Sequence, residues 1–407
     1  MISVGEALER ILGAVHQLGA ERTGLLEAVG RVIAEDVRSP RDVPAYASSA
    51  MDGYAVRHAD VGRPPARLLV VGTSAAGGAS DAVVGPGQAA KIMTGAPIPA
   101  GADTVIRVEE TRTEGNEVIV ERAGAKASDI RFPGEDLRAG QIVIAHGRRL
   151  SPADIGVAAS VGRTLLLVHH RPRVAILSTG NELVEADQPL QTGQVVNSNA
   201  YTLAAAVAEA GGVPIPLPIV RDTPHEIREA FREASRADAI LSTGGVSVGD
   251  FDYVKSAMDE VGVERLFWKV AQRPGKPLTF GMLGSRPYFG LPGNPVSSLV
   301  CFYLYARPAL RRMMGLRAVH LPTVEARLGH DVEKPAGLTE FVRCRIEKAN
   351  GGLVATSTGT QSSAVLSSMA KGQGLIIIPA PETALHAGAA VRVILLEAES
   401  GEEAPPF

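Results

Sequence analysis

The chain is 407 residues long, with 45% hydrophobic residues, only 4% aromatic residues and a formal net charge of −3, a length that implies two to four domains of roughly 100–200 residues each. No global positive field exists to condense on a nucleic-acid backbone or an anionic membrane, so any anionic ligand must be held by a local group of cations. No apolar run approaches the roughly 20 residues needed to span a bilayer, and Glu6 and Glu9 stand where a secretory peptide has its apolar stretch, which points to a cytoplasmic protein.

Ser3 reads as an N-cap, followed by Val4, Leu8, Ile11, Leu12 and Val15 at helical spacing, and a second helical stretch is expected over Leu25–Val37. From Pro40 to about Gly140 short apolar runs (RLLVV, TVIRV, EVIVE) alternate with turns such as SAAGGAS and GAPIPAG, the pattern of an all-β insert. Ser151-Pro152 reads as a cap with Pro at the first position of the helix PADIGVAASVG. From Pro172 to about Gly315 apolar strands (RVAIL, PLPIV, ADAIL, LFWKV) alternate with helices (SNAYTLAAAVAEA, PHEIREAFREAS, DYVKSAMDEVG). A hairpin LTFGML…RPYFG and the helix PVSSLVCFYLYARPALRRMM close this unit. Such alternation implies a mainly parallel sheet covered on both faces. Short strands return from Leu321 to about Ala398 and predict a small β-barrel or sandwich. The chain is thus expected to be multidomain, α/β plus β. The linking domain is assigned to 1–39 and 141–170, the β-rich insert to 40–140, the α/β domain to 171–320 and the C-terminal β domain to 321–407.

The hexapeptide Ala-Ile-Leu-Ser-Thr-Gly occurs twice, at Ala175–Gly180 and Ala239–Gly244, each time as an apolar strand running into a Gly turn. In open parallel sheets ligands bind beyond the carboxyl ends of strands, so both ends should open on one edge. There Ser178, Thr179 and Ser247 can donate hydrogen bonds, and Gly244, Gly245 and Gly249 let backbone approach a phosphate. Glu182 and Asp252 offer oxygens to a hard cation. Lys269, Arg273 and Lys276 lie in WKVAQRPGKP, which has no acid, as an anion-binding loop would. LPGNPVSS, with Pro292, Asn294 and Pro295, is a tight turn feeding a helix, suited either to meeting a ligand with its N-terminal amides or to serving as a rigid connector. In the insert, Asp52 in SSAMDGYAV and Thr94 in KIMTGAPIP carry polar groups on turns, and for Asp52 alone the favoured role is to accept turn amides. RFPGEDLRAG suits a site or a surface hairpin equally. The nine histidines show no metal-type spacing, and the two cysteines, Cys301 and Cys344, sit in apolar or alternating runs as small hydrophobes.

Taken in order, SAMDGYA, IMTGAPIP with GADTVI, RFPGEDLRAG, ILSTGNELV, VNSNAYTL, RDTPHEIREAF, STGGVSVGDFDYVK, FWKVAQRPGKPLTFG and GLPGNPVS closely resemble the MoeA family of molybdopterin molybdenumtransferases, related to the E domain of gephyrin. The resemblance implies an enzyme of molybdenum cofactor biosynthesis that inserts molybdenum from molybdate into adenylylated molybdopterin with Mg²⁺-dependent release of AMP. It also implies an elongated homodimer whose cleft lies between the α/β domain of one subunit and parts of the other. The resemblance further implies the molybdopterin adenylyltransferase and molybdoenzyme delivery proteins as partners. The positions that match are Asp52, Thr94, Glu182, Asp222, Asp252, Lys269 and Arg273, with Glu182, Asp222 and Asp252 as the Mg²⁺ ligands. Family members often carry Asp at the position of Asn181 and Lys at that of Arg273. The alternatives are a molybdopterin adenylyltransferase, against which the two extra β domains argue, and a noncatalytic dimeric scaffold, for which no long linker or fused domain speaks.

Overall fold

In the computed structural model, which describes residues 1–78, 81–244, 257–349 and 351–396, the first helix spans Val4–Ala14, and the Ser3 hydroxyl accepts the Glu6 amide at 3.1 Å. Its apolar stripe, through Ala7 and Ile11, packs beside Val174, Leu310 and Met313 of the α/β unit. The helix expected over Leu25–Val37 does not form. Strand Ala20–Gly24 instead pairs with Leu165–His169, residues 25–30 turn, and Val37–Arg38 pairs with Ile142–Ile144. Ala28, Ile33 and Val37 are buried against Ile144, Leu150, Leu166 and Val168 from beyond the β insert. Long-range strand pairing there overrides a local periodicity that favoured a helix.

The helix Pro152–Ser160 begins as expected, with a capping box: the Ser151 hydroxyl accepts the Asp154 amide at 3.3 Å, and the Asp154 carboxylate accepts the Ser151 amide at 2.8 Å. Arg148 Nε lies 3.0 Å from the same carboxylate. Burial pushes the Asp154 carboxyl up, but the Ser151 hydrogen bonds and then Arg148 outweigh it, leaving the group below its ordinary value. A carboxyl depressed in the folded state stabilises above its unfolded pKa and loses that contribution as pH falls through its folded one. Asp154→Ala is therefore expected to cost about 1 kcal/mol in urea unfolding at pH 7. The gap to the unsubstituted protein should narrow as the pH is taken below roughly 4.

The β insert holds a six-stranded sheet in the order Thr104–Arg107, Gly53–Val56, Gln88–Ile92, Ala66–Ser74, Glu117–Val120, Thr111–Glu114. Its core is Tyr54, Val56, Leu68, Val118 and Val120. The α/β unit holds a second six-stranded sheet, ordered Val213–Pro216, Arg173–Ser178, Ala239–Thr243, Arg286–Leu291, Thr279–Leu283, Val263–Trp268. Its first four strands are parallel, and the last two join antiparallel through the expected hairpin. Helix Ser198–Ala210 and the helix from Pro295 cover one face, with Leu203, Val207, Leu299 and Phe302 inward. Helix Pro224–Ala234 covers the other with Ile227 and Phe231. The strand expected at PLPIV forms earlier, at Val213–Pro216, and Val220 makes only an isolated bridge to Thr179. The helix expected over DYVKSAMDEVG lies mostly outside the described residues.

In the C-terminal domain Thr323–Leu328, Gly352–Ser357, Thr339–Ala349, Gly374–Ile378 and Ala390–Leu395 pair in that order, and the last returns to the first, closing a five-stranded barrel. Closure removes the exposed edges that a flat sheet of this length would present. Both cysteines are buried, as their runs suggested, and burial pushes the Cys344 thiol up to about 12.

Candidate active site

The two Ala-Ile-Leu-Ser-Thr-Gly segments lie side by side and parallel, Ser178 opposite Thr243, and the Thr179 amide donates to the Thr243 carbonyl at 3.1 Å. Both ends therefore open at the same sheet edge, onto a cleft of about 740 Å³. Gly244 has φ +90°, and a Cβ there would lie 2.3 Å from the Thr179 carbonyl oxygen. Only glycine lets the two turns close on each other. The cleft floor is held by Thr243, whose hydroxyl accepts from Asn199 Nδ2 at 2.7 Å and donates to the Pro292 carbonyl at 3.3 Å, while Asn199 also reaches the Gly293 carbonyl at 2.8 Å.

Three features of this cleft suit an anion. The Thr179 hydroxyl is on the lining, only 4% of the residue is exposed, and it has no hydrogen-bond partner among the described residues. A buried hydroxyl left unpaired costs free energy that a ligand oxygen would recover. Helix Ser198–Ala210 starts on the wall, capped by Asn197 through a 3.3 Å bond to the Ala200 amide, and turns its partly positive end to the space. Lys269 supplies a full charge: its Nζ stands 3.6 Å over the Trp268 ring, and its backbone is left-handed at φ +68°. That conformation costs a non-glycine residue on the order of 1 kcal/mol and is held here by the Lys269 amide donating to the Leu278 carbonyl at 2.9 Å.

Glu182 brings a carboxylate to the same cleft, and Pro292, Asn294 and Pro295 form another wall. Asn294 Nδ2 donates to Ser363 Oγ at 3.0 Å, so Ala364 and Leu366 of the C-terminal domain complete the lining. Buried Arg343 fixes that loop by donating to the carbonyls of Thr360, Gln361 and Ser362 at 3.0–3.3 Å. Asn197, Asn199, Trp268 and the Ala364–Leu366 segment had not been singled out from the sequence as site residues. Asn197, Asn199 and Trp268 lay within the motifs VNSNAYTL and FWKV, whereas nothing in the C-terminal sequence marks residues 363–366.

Other expected positions sit elsewhere. Ser178 is fully buried behind the lining with its hydroxyl unpaired among the described residues. Asp222 faces the turn after the first strand: its carboxylate accepts the Asn181 amide at 3.3 Å and its amide donates to Asn181 Oδ1 at 3.2 Å. Arg273 is 61% exposed, outside the lining, and pairs with Glu340 of the barrel domain at 3.2 Å where Gln272–Arg273 runs parallel to Thr339–Glu340. Lys276 is exposed and also outside the lining. Gly245, Ser247, Gly249 and Asp252 lie outside the described residues.

Asp52 and Thr94, 42 positions apart in sequence, meet. Asp52 precedes strand Gly53–Val56, Thr94 follows strand Gln88–Ile92, and the antiparallel register places Gly53 opposite Ile92. Asp52 Oδ1 accepts the Thr94 amide at 2.7 Å and the Thr94 hydroxyl at 2.9 Å. Those two bonds, the amide first, hold the carboxyl below its ordinary value, so it stays anionic through the neutral range. Neither residue lines the cleft of its own chain, and Met51 and Met93 beside them are exposed.

Comparison with known proteins bears on the whole chain. Residues 2–162 match the MoeA N-terminal region (domain I and II), residues 175–312 a probable molybdopterin binding domain, and residues 325–396 the MoeA C-terminal region (domain IV). The molybdopterin molybdenumtransferase of Bacillus subtilis is 35% identical over 99% of this chain and 96% of its own, and that of Nostoc sp. is 37% identical over 97% and 94%. A crystal structure of the molybdopterin biosynthesis MoeA protein from Pyrococcus horikoshii OT3 superposes with a TM-score of 0.85 at 30% identity, covering 97% of this chain and all of that one. With its three domain matches in order and its relatives aligned end to end, the chain belongs to the MoeA family of molybdenum cofactor biosynthesis enzymes.

Proposed function

We propose that this protein inserts molybdenum from molybdate into adenylylated molybdopterin and cleaves the phosphoanhydride to release AMP. The observation that carries the reading is one cleft, at the carboxyl ends of two parallel strands, that combines Lys269, the Glu182 carboxylate and a buried Thr179 hydroxyl that has no partner among the described residues. Cations and hydroxyl donors suit the oxyanions of a phosphoanhydride and of molybdate, and charge developing on the departing AMP is stabilised best by groups already in place. Glu182 offers oxygen to a divalent ion in that cleft, and Asp222, tied to the neighbouring residue Asn181, offers a second carboxylate to the same loop. Hard oxygen donors of this kind fit Mg²⁺, which would neutralise phosphate oxygens when bound. Asp52 and Thr94, adjacent to each other and away from their own cleft, are read as completing the cleft of a second copy in a homodimer.

The test is product analysis with purified protein. AMP release from adenylylated molybdopterin that depends on molybdate supports the reading. Pyrophosphate release from ATP and molybdopterin would replace it with adenylylation, and neither product would leave a scaffold.

For Arg273 the anion-holding role is part of this proposal, and Glu340 competes with it. Glu340→Gln frees the guanidinium, so molybdate should half-saturate AMP release at a lower concentration, while Arg273→Ala should raise that concentration. Unchanged half-saturation in both variants would reduce the pair to a surface contact worth under about 1 kcal/mol of stability.

A further inference from the structure

We infer that Arg221 is a positioning residue for Glu182, clamping the loop that carries this carboxylate to the neighbouring sheet-end segment. The inference rests on the proposed role of the cleft and adds a residue to it. Arg221 Nη1 donates to three carbonyl oxygens of one turn: Gly180 at 3.3 Å, Asn181 at 3.0 Å and Leu183 at 3.2 Å. The residues it grips bracket Glu182 on both sides.

A single guanidinium nitrogen aimed at three carbonyls is an unusual use of an exposed arginine, which would ordinarily reach a carboxylate or solvent. The loop gives it reason. After strand Arg173–Ser178 the chain leaves the sheet, and only two backbone bonds tie its first part to the next segment. Among the described residues they are the Gly180 amide to the Val220 carbonyl at 3.1 Å and the Val220 amide to the Ser178 carbonyl at 3.0 Å. Beyond them the reciprocal Asn181–Asp222 bonds extend the zipper by side chain. Arg221, between Val220 and Asp222, adds its three bonds to this zipper, and the Gly180 carbonyl also accepts the Leu183 amide at 3.4 Å. On the far side the loop is held by the Val195 amide donating to the Glu182 carbonyl at 2.9 Å.

Glu182 itself folds back over this turn, since a Cβ built on Gly180 would lie 2.5 Å from Glu182 Oε2. The carboxylate thus rests on the peptide units that Arg221 restrains, and a shift of the Gly180 or Asn181 carbonyl carries it along. A cation ligand or phosphate-facing carboxylate loses its effect when misplaced by about an ångström. Asn181 keeps the acceptor oxygen that the zipper needs and adds no further negative charge beside Asp222.

The experiment compares Arg221→Ala, Arg221→Lys and the unsubstituted protein, full length, by backbone hydrogen exchange and by Mg²⁺ titration of molybdate-dependent AMP release. Exchange at residues 180–184 should speed by about tenfold in Arg221→Ala, with the helices of the same domain unchanged. The Mg²⁺ concentration giving half-maximal rate should rise several-fold, with saturating Mg²⁺ restoring most of the turnover. Arg221→Lys, which still carries a charge and can reach one or two carbonyls, should recover part of both effects. Arg221→Ala with unchanged exchange at 180–184, or faster exchange with an unchanged Mg²⁺ requirement, would overturn the inference. A wild-type protein that releases no AMP would instead overturn the proposed function, while the exchange result would still report whether Arg221 clamps the loop.

Discussion

Glu182→Ala is expected to lower molybdate-dependent AMP release by about a hundredfold or more, the size of effect seen when one preorganised charge-stabilising group is removed from an active site. Stability should stay within about 0.5 kcal/mol, because the side chain is exposed and makes no ion pair among the described residues. Truncation leaves no cavity, so a lost rate cannot be a lost fold. Glu182→Gln separates the two things the carboxylate does. It keeps the shape and one carbonyl oxygen, so a purely steric role would leave the rate near that of the parent protein. A role as an anionic ligand would leave both variants equally slow, with chelation of divalent ions slowing the parent to a similar level. Rates for Glu182→Gln close to wild type, or a parent rate indifferent to chelator, would remove the metal from the proposed reaction.

Mixing Asp52→Ala subunits with Lys269→Ala subunits should restore activity that neither variant shows alone, to roughly a quarter of the parent rate if subunits exchange at random. Half of the dimers would then be hybrids, each with one intact site of two. The expectation follows from two placements. Lys269 lines the cleft of the α/β unit, and the Asp52–Thr94 pair stands at the ends of two interior strands of the insert sheet, outside that cleft and beside exposed Met51 and Met93. A depressed carboxyl such as Asp52 stays charged at the pH of the assay, so its loss removes a charge and not merely a hydrogen bond. Verified subunit exchange without recovery of AMP release would place the whole site in one chain and return Asp52 to the turn-bracing role that its bonds to Thr94 also satisfy.

The difference between the legible and the illegible parts of the molecule is physical. Strands Arg173–Ser178 and Ala239–Thr243 were readable because both faces of a central parallel strand are buried, which writes an uninterrupted apolar run. Helix Pro152–Ser160 was readable because its cap and its proline are local signals. The stretch Leu25–Val37 was misread because its apolar spacing fits a helix, while its partners, Leu165–His169 and Ile142–Ile144, lie across the whole β insert. Local periodicity carries no information about strands that come from so far away.

For the site, residue types and their order along the chain already determined the essentials: two Ser-Thr-Gly strand ends, a cation-rich loop without acids, and an ordered set of motifs specific to one family. Only the tertiary structure decided which of those groups share a space. Parallel pairing puts Thr179 beside Thr243, and the register of two insert strands joins Asp52 to Thr94. A strand contact with the barrel domain draws Arg273 to Glu340 and away from the lining. Arg221 gains its role from carbonyls about forty residues away, and Arg343 from the carbonyls of a loop about eighteen residues on together with the Ser368 hydroxyl. Backbone carbonyls are the same at every position of the sequence, so which side chain will find them is settled by chain geometry and not by residue type.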